Sequence, residues 1–179
     1  MYYSTLYQSP VGALTLASTG DELVGLWVVN QKYHGGTIGN DLVPDDKLEV
    51  FKATRAWLDR YFDGQKPAPV ELPLAPIGSG FRQGVWDILC KIPYGQVTTY
   101  GAIAKEMAAD MGKVRMSSQA VGGAVGHNPI SIIIPCHRVV GSNGSLTGYA
   151  GGIMVKQWLL KHEGVDTSGL FIPTRGTAL

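Results

Sequence analysis

Alternating apolar and polar positions open the chain and predict an antiparallel sheet. The alternating segments are residues 3–8, 13–18 and 23–29. Apolar residues then recur at helical spacing over Lys47–Phe62, and Asp63-Gly64 breaks that pattern. The first part of the chain is therefore predicted to be a small α+β unit.

Prolines and glycines dominate the next stretch, residues 66–80, and such a composition cannot sustain a helix or a central strand. We place a domain boundary there. The predicted organisation is an N-terminal domain at residues 1–66, a linker at 67–80, a second domain at 81–165 and a C-terminal tail at 166–179.

Helical patterns dominate the second domain. Phe81–Cys90 has one apolar face and ends before Pro93 and Gly95. Thr98-Thr99 offers an N-cap to a helix that runs through Met107, and Ser117-Ser118 offers one to a helix that runs through Val125. Two helices joined by a polar connection predict a helix-turn-helix, whose second helix is rich in Gly and Ala.

Beyond the helix-turn-helix, the β-branched run Ser131–Ile134 predicts a short buried strand that ends at Pro135. A Gly-rich loop follows at Gly141–Gly152. A last amphipathic helix carries Val155, Trp158 and Leu159 and ends near His162. The fold class is therefore α+β, with a mostly helical C-terminal domain.

Charge is distributed unevenly along the chain. The 179 residues hold 15 Lys and Arg against 14 Asp and Glu, a net charge of +1 that does not suggest a nucleic-acid partner. Between Met111 and His162, however, there is no acidic residue and there are five cations, so that third of the chain carries +5 and the rest −4. No long apolar run or signal-peptide pattern is present, and we expect a cytoplasmic protein without a membrane segment.

Only two cysteines are present, which argues against a disulfide scaffold. Cys90 ends the apolar face of a helix and is assigned to packing. Cys136 lies between Pro135 and His137 in the acid-free stretch, where the flanking cations are expected to favour the thiolate. A turn after Pro135 would let His137 act as a base, and Glu163 is the nearest acid that could orient the imidazole.

The hexapeptide Ile-Pro-Cys-His-Arg-Val at residues 134–139 resembles the signature of the O6-alkylguanine-DNA alkyltransferases. Further similarities occur in the same order along the chain. They are Pro93-Tyr-Gly95, Val97-Thr-Thr-Tyr100, Ala120-Val-Gly-Gly123, Asn128-Pro129, Thr147-Gly-Tyr-Ala-Gly-Gly152 and His162-Glu-Gly164. The resemblance implies a ribonuclease-H-like N-terminal domain without catalytic residues of its own.

The resemblance also implies direct damage reversal, an irreversible, single-use transfer of the alkyl group from O6-alkylguanine in DNA to Cys136, with O4-alkylthymine as a further possible substrate. The implied catalytic residues are Cys136 as nucleophile, His137 as base through a water, Glu163 as its orienting acid, Asn128 as a brace of this network, Tyr100 as proton donor to guanine and Lys156 as a helper. The implied walls of the base pocket are Val139, Tyr149, Ala150 and Gly151. Read without the resemblance, Tyr100 could be a core aromatic residue and Lys156 a solvated one.

Double-stranded DNA is the implied partner. The base would be flipped into the pocket while the small-residue helix enters the minor groove. The implied DNA-binding residues are Lys113, Arg115, Ser118, Gln119, Ala120 and Gly123. Gln119 departs from the family, which commonly has an arginine there to fill the gap left by the flipped base, so either Gln119 or Arg115 has that role here.

No cofactor and no metal site are expected, and the protein is expected to be a monomer. Two other functions remain open. A damage sensor would bind alkylated DNA without reacting, although the presence of Cys136 argues against it. A cysteine hydrolase would use Cys136, His137 and Glu163, but it would need an oxyanion hole, for which the sequence gives no sign.

Overall fold

A computed structural model describes residues 1–174. By packing, the chain divides into two units. The first consists of Met1–Gly78 and Pro129–Ile134, and the second consists of Ser79–Asn128 and the chain from Pro135 onward. Packing thus places residues 129–134 with the N-terminal unit, although they lie within the continuous second domain that the sequence predicts.

The N-terminal unit is a four-stranded sheet with one long helix. Its elements in chain order are β1 (Tyr2–Ser9), β2 (Gly12–Ser18), β3 (Leu23–Val28), β4 (Leu42–Pro44) and α1 (Glu49–Phe62). The strand order is β3-β2-β1-β4, in which β4 pairs in parallel with β1 and the other neighbours are antiparallel. The three predicted strands and the helix are therefore present, whereas β4 was not predicted.

Part of the stretch predicted as a linker is built into this unit. Leu74 forms a bridge with Leu23 of β3, and the backbone N–H of Leu23 donates to the Pro73 carbonyl at 2.8 Å. A short 3-10 turn at Pro69–Glu71 precedes this pairing. Backbone hydrogen bonds along the edge of β3 that does not pair with β2 thus hold the proline-rich chain in place.

The predicted strand at Ser131–Ile134 is wrong, because the chain forms turns there. A single bridge joins Ile130 to Leu26, and the Ile134 N–H turns back to the Ile130 carbonyl at 3.0 Å. Ile132 has a φ of +70°, a strained value for a β-branched residue. The apolar run is buried as predicted, but its backbone is not extended.

The second unit consists mainly of helices. Its elements are α2 (Gly80–Cys90), β5 (Thr98–Thr99), α3 (Tyr100–Asp110), α4 (Ser118–Gly126), a 3-10 turn at Cys136–Arg138, β6 (Val139–Val140) and α5 (Ile153–His162). Thr99 and Ser117 cap α3 and α4, as predicted, by accepting hydrogen bonds from backbone N–H groups. The indole of Trp86 on α2 donates to the Ala124 carbonyl at 2.9 Å and ties α2 to α4.

No helix within residues 1–174 is long and apolar enough to cross a membrane.

Candidate active site

Cys136 begins the 3-10 turn at Cys136–Arg138 and is 5% exposed. The Asn128 side chain hydrogen-bonds the sulfur, and the backbone N–H groups of Cys136 and His137 also contact it. Burial raises the pKa of the thiol, and these hydrogen bonds together with the charge of Lys156 lower it only in part. The expectation that flanking cations favour the thiolate is therefore wrong, because burial outweighs the contacts that stabilise the thiolate and the flanking Arg138 is paired with Glu163.

His137 follows in the same turn and is fully buried. Its Nε2 lies 2.6 Å from Oε1 of Glu163, directly after α5. Burial lowers the pKa of the imidazole, and the Glu163 carboxylate opposes this only in part. Because an ionised carboxylate only accepts hydrogen bonds, Nε2 carries the proton of the neutral ring and Nδ1 presents its lone pair. Nδ1 is buried and has no hydrogen-bond partner within residues 1–174.

Hydrogen bonds from His137, Arg138 and Gly95 hold Glu163. Oε1 accepts from His137 and from Nη2 of Arg138 at 3.0 Å, and Oε2 accepts from Nε of Arg138 at 2.8 Å and from the Gly95 N–H at 3.2 Å. Burial alone would raise the pKa of this carboxyl, but His137 and Arg138 more than offset that and hold it well below its usual range. Glu163 is thus a fully satisfied buried anion. We call Cys136, His137, Arg138 and Glu163 the buried cluster.

Arg138 was not predicted as a site residue. It is 8% exposed, and besides its two bonds to Glu163 it donates to the Ile92 carbonyl at 2.6 Å. Its guanidinium carbon lies 5.7 Å from the centre of the Tyr94 ring. A buried acid needs a paired cation, and Arg138 is one of the five cations of the acid-free stretch that Glu163 closes, so the uneven charge distribution contained a signal for this pair.

Lys156 and Tyr100 meet at one backbone carbonyl. The Lys156 ammonium donates to the Thr147 carbonyl at 2.8 Å and to the Val139 carbonyl at 2.5 Å, and the Tyr100 hydroxyl donates to the Thr147 carbonyl at 2.8 Å. Burial lowers the pKa of Lys156 to about 8 and raises that of Tyr100 to about 12. Lys156 is fully buried, so it is not the solvated helix residue of the alternative interpretation.

The Gly-rich loop approaches Tyr100 closely. Gly148 has a φ of +75°, and a Cβ on it would lie 2.8 Å from the Tyr100 hydroxyl, so a side chain there would displace this contact. The four predicted pocket residues Val139, Tyr149, Ala150 and Gly151 are buried or half-buried. The loop therefore brings the predicted pocket and the predicted proton donor into one region of the second unit.

Six predicted DNA-binding residues lie on an exposed part of the same unit. Lys113 and Arg115 are on the connection between α3 and α4, and the other four are on α4. We call these six the α4 surface: Lys113, Arg115, Ser118, Gln119, Ala120 and Gly123. Within residues 1–174, no group of three or more Cys, His, Asp or Glu side chains could hold a metal ion.

Comparison with known proteins gives matches along almost the whole chain. Residues 80–165 match the family described as 6-O-methylguanine DNA methyltransferase, DNA binding domain, and residues 1–76 match its ribonuclease-like domain. A methylated-DNA–protein-cysteine methyltransferase of Methanosarcina acetivorans is 44% identical over 92% of this chain and 99% of its own. The chain belongs to the 6-O-methylguanine DNA methyltransferase family.

Two further relatives support this assignment. A methylated-DNA–protein-cysteine methyltransferase of Haemophilus influenzae is 39% identical over 90% of this chain and 86% of its own. The structure of a Mycobacterium tuberculosis relative in complex with DNA covers 94% of both chains, with 39% identity and a TM-score of 0.77. The 6-O-methylguanine DNA methyltransferase assignment thus confirms the predicted fold class and family.

One cysteine of this methyltransferase lies outside the buried cluster. Cys90 is half-buried at the end of α2, and burial raises its pKa to about 11. The nearby Asp87 raises the pKa of Cys90 further, whereas Asn128 and Lys156 lower that of Cys136, and this difference agrees with the assignment of Cys90 to packing.

Proposed function

We propose that this protein repairs O6-alkylguanine in DNA by transferring the alkyl group to its own Cys136. The observation that carries the proposal is the buried cluster. In it, the Cys136 thiol is next in the chain to an imidazole whose Nδ1 can accept a proton, and that imidazole is hydrogen-bonded to the charged carboxylate of Glu163. Displacement at a saturated carbon needs a strong, soft nucleophile, and a thiolate provides one.

The first step is removal of the thiol proton. Because burial raises the pKa of Cys136, the resting group is a thiol and needs a base. Nδ1 of His137 can accept a proton, but no direct hydrogen bond joins it to the sulfur, so we assign the transfer to a bridging water. Glu163 then stabilises the imidazolium, and Asn128 and Lys156 stabilise the thiolate.

The second step forms the S–C bond between Cys136 and the alkyl carbon and breaks the bond between that carbon and O6 of guanine. The bonding electron pair goes to the guanine, which takes a proton from the Tyr100 hydroxyl. A pKa of about 12 makes Tyr100 a weak acid, but Lys156, which shares the Thr147 carbonyl with it, can offset the charge left on the phenolate. The thioether is stable, so each chain reacts once.

The α4 surface is the proposed DNA interface. Small residues at Ala120 and Gly123 let the helix approach a minor groove closely, while Lys113 and Arg115 contact phosphates. The target base is flipped out of the duplex and enters between Tyr149, Ala150 and Gly151. We propose that a single copy of the chain carries out the reaction and that the protein acts in the cytoplasm.

The decisive experiment is incubation with a duplex that contains one O6-methylguanine, followed by peptide mass spectrometry. We expect one methyl group per chain, located on Cys136. Cys136→Ser is expected to lose all transfer yet still bind the duplex, whereas Cys90→Ser, the matched control at the other cysteine, is expected to react like wild type.

Other outcomes would contradict the proposal. Tight binding with unchanged DNA would identify a damage sensor. Release of methanol with more than one turnover per chain would identify a hydrolase. Methylation of Cys136→Ser at another residue would move the nucleophile elsewhere.

A further inference from the structure

The segment that follows α5 returns to the Gly-rich loop. The Phe171 N–H donates to the Gly144 carbonyl at 3.0 Å, and the Leu146 N–H donates to the Phe171 carbonyl at 2.9 Å. These two bonds enclose a bridge between Ser145 and Phe171. We call residues 166–171 the C-terminal strap; they lie beyond residue 165, where the match to the family's DNA-binding domain ends.

Apolar packing supports the backbone pairing. Leu170 lies against a core of three side chains, Val140, Leu146 and Leu160, each at most 4% exposed. Val140 belongs to β6 and Leu160 to α5, so the C-terminal strap joins these two elements to the loop. The side chain of Phe171, by contrast, is 45% exposed, and its backbone makes the contacts with the loop.

The fit between strap and loop requires glycine at residue 144. Gly144 has a φ of +90°, and a Cβ there would lie 2.1 Å from the Gly169 carbonyl oxygen. Because that neighbour is backbone, a side chain at residue 144 would force the strap and the loop apart.

The segment that the strap holds leads directly into the site. Residue 147 follows Leu146, and its carbonyl accepts hydrogen bonds from both Tyr100 and Lys156. Gly148, next in the chain, lies so close that a Cβ on it would be 2.8 Å from the Tyr100 hydroxyl. A shift of residues 144–146 would therefore be passed to the carbonyl that positions these two side chains.

We propose that the C-terminal strap is a positioning element for alkyl transfer, which fixes the Thr147 carbonyl and so the proton donor and the ammonium of the site. The inference rests on the proposed function, because alkyl transfer is the activity that it modulates. It gives a role to residues beyond the match to the family's DNA-binding domain.

The first test compares two substitutions at Phe171. Phe171→Pro removes the N–H that bonds Gly144, whereas Phe171→Ala keeps it and removes only the half-exposed ring. In single-turnover assays we expect the limiting rate of methyl transfer to fall about tenfold in Phe171→Pro and to stay within about twofold of wild type in Phe171→Ala. The DNA concentration that gives half the limiting rate is expected to stay unchanged in both.

The second test displaces the strap from the other side. Gly144→Ala introduces the clash with Gly169, and Gly64→Ala is its control, since Gly64 also has a positive φ but a Cβ there would have no atom within 4 Å. We expect Gly144→Ala to lower the limiting rate about tenfold and Gly64→Ala to leave it unchanged. The thermal unfolding curve of each variant is measured first, and the assays are run at a temperature at which all of the variants are folded.

Hydrogen–deuterium exchange of the peptide that covers residues 141–152 shows whether the strap has moved. Faster exchange with a reduced limiting rate supports the inference. Faster exchange with a wild-type limiting rate overturns it, as does a rate loss that only follows the unfolded fraction. An inactive wild-type chain would instead refute the proposed function, which these comparisons between variants do not test.

Discussion

The buried cluster and the α4 surface belong to the same unit but keep their charges in opposite environments. In the buried cluster, each of the four residues is at most 8% exposed, and its ions are paired with one another. On the α4 surface, Lys113 and Arg115 are exposed. Buried charges interact strongly and respond to pH, whereas exposed charges are screened by salt. Chemistry and DNA affinity are thus expected to respond to different substitutions and different conditions.

Glu163→Gln gives the largest expected effect among the changes that keep the nucleophile. A neutral amide cannot stabilise an imidazolium as a carboxylate does, so Nδ1 of His137 becomes less basic. We expect the single-turnover rate at neutral pH to fall about a hundredfold, while affinity for DNA and its salt dependence stay unchanged. A change in salt dependence would contradict the expectation that substitutions in the buried cluster leave DNA affinity unaffected.

The same variant is also expected to shift the pH dependence of the transfer rate in a definite direction. The pKa of His137 is already lowered by burial, and Glu163 is the group that opposes this. Without that carboxylate the pKa falls further, so the acidic limb of the rate profile moves to lower pH even as the plateau drops. Glu106→Gln, which removes an exposed partner of Lys91, is the control and is expected to change neither.

Arg138→Met tests stability in the buried cluster. The variant leaves Glu163 buried with one partner fewer, and losing one partner of a buried ion pair typically costs about 3–5 kcal/mol in free energy of unfolding. Arg60→Met is the control, because its ion pair with Glu71 is partly exposed and we expect a much smaller loss. Urea unfolding measures both.

The loss of stability in Arg138→Met is also expected to depend on pH. The pKa of Glu163 is lowered in the folded chain, so its contribution to stability is fully present above the pKa of the unfolded carboxyl and is lost as pH falls through the folded value. The difference between wild type and Arg138→Met is therefore expected to be largest near pH 7 and to shrink below about pH 4. A difference that is constant with pH would show that lost packing of Arg138, and not its charge, is responsible.

Local signals explain what the sequence predicted well. Thr99 and Ser117 cap helices because a hydroxyl placed before a helix satisfies its free N–H groups, and this depends on neighbours in sequence alone. The prediction that Glu163 reaches His137 relied on its being the nearest acid to a stretch that lacks acids, and the two side chains lie 2.6 Å apart.

Properties that depend on distant parts of the chain were missed. A β-branched run such as Ser131–Ile134 favours an extended strand, but the positive φ of Ile132 and the turn bonds override that preference. The raised pKa of Cys136 follows from its burial, which neighbours in sequence do not reveal. Arg138 was counted only as a cation of the acid-free stretch. Its guanidinium donates to the carbonyl of Ile92, which is far away in sequence, so the sequence did not reveal this contact.

The α4 surface is expected to respond to salt. Removing both cations with Lys113→Ala and Arg115→Ala takes away two proposed phosphate contacts, so the slope of log affinity against log salt is expected to become shallower by about 2. The limiting rate of transfer at saturating DNA is expected to stay within about twofold of wild type. A fall in that rate would mean that the connection between α3 and α4 also shapes the site.

Gln119→Arg gives the smallest expected effect and separates two roles for one residue. Gln119 is exposed in the first turn of α4, where an added guanidinium can reach a phosphate or the gap that a flipped base leaves. If it fills the gap, affinity is expected to rise about fivefold for an alkylated duplex and much less for an unmodified one. If it only contacts phosphate, both affinities rise equally and the salt slope steepens by about 1.

Gln65→Arg, which adds the same charge to an exposed residue of the N-terminal unit, corrects for net charge. An equal gain for both duplexes would assign the gap to another residue, and Arg115 is then the next to test.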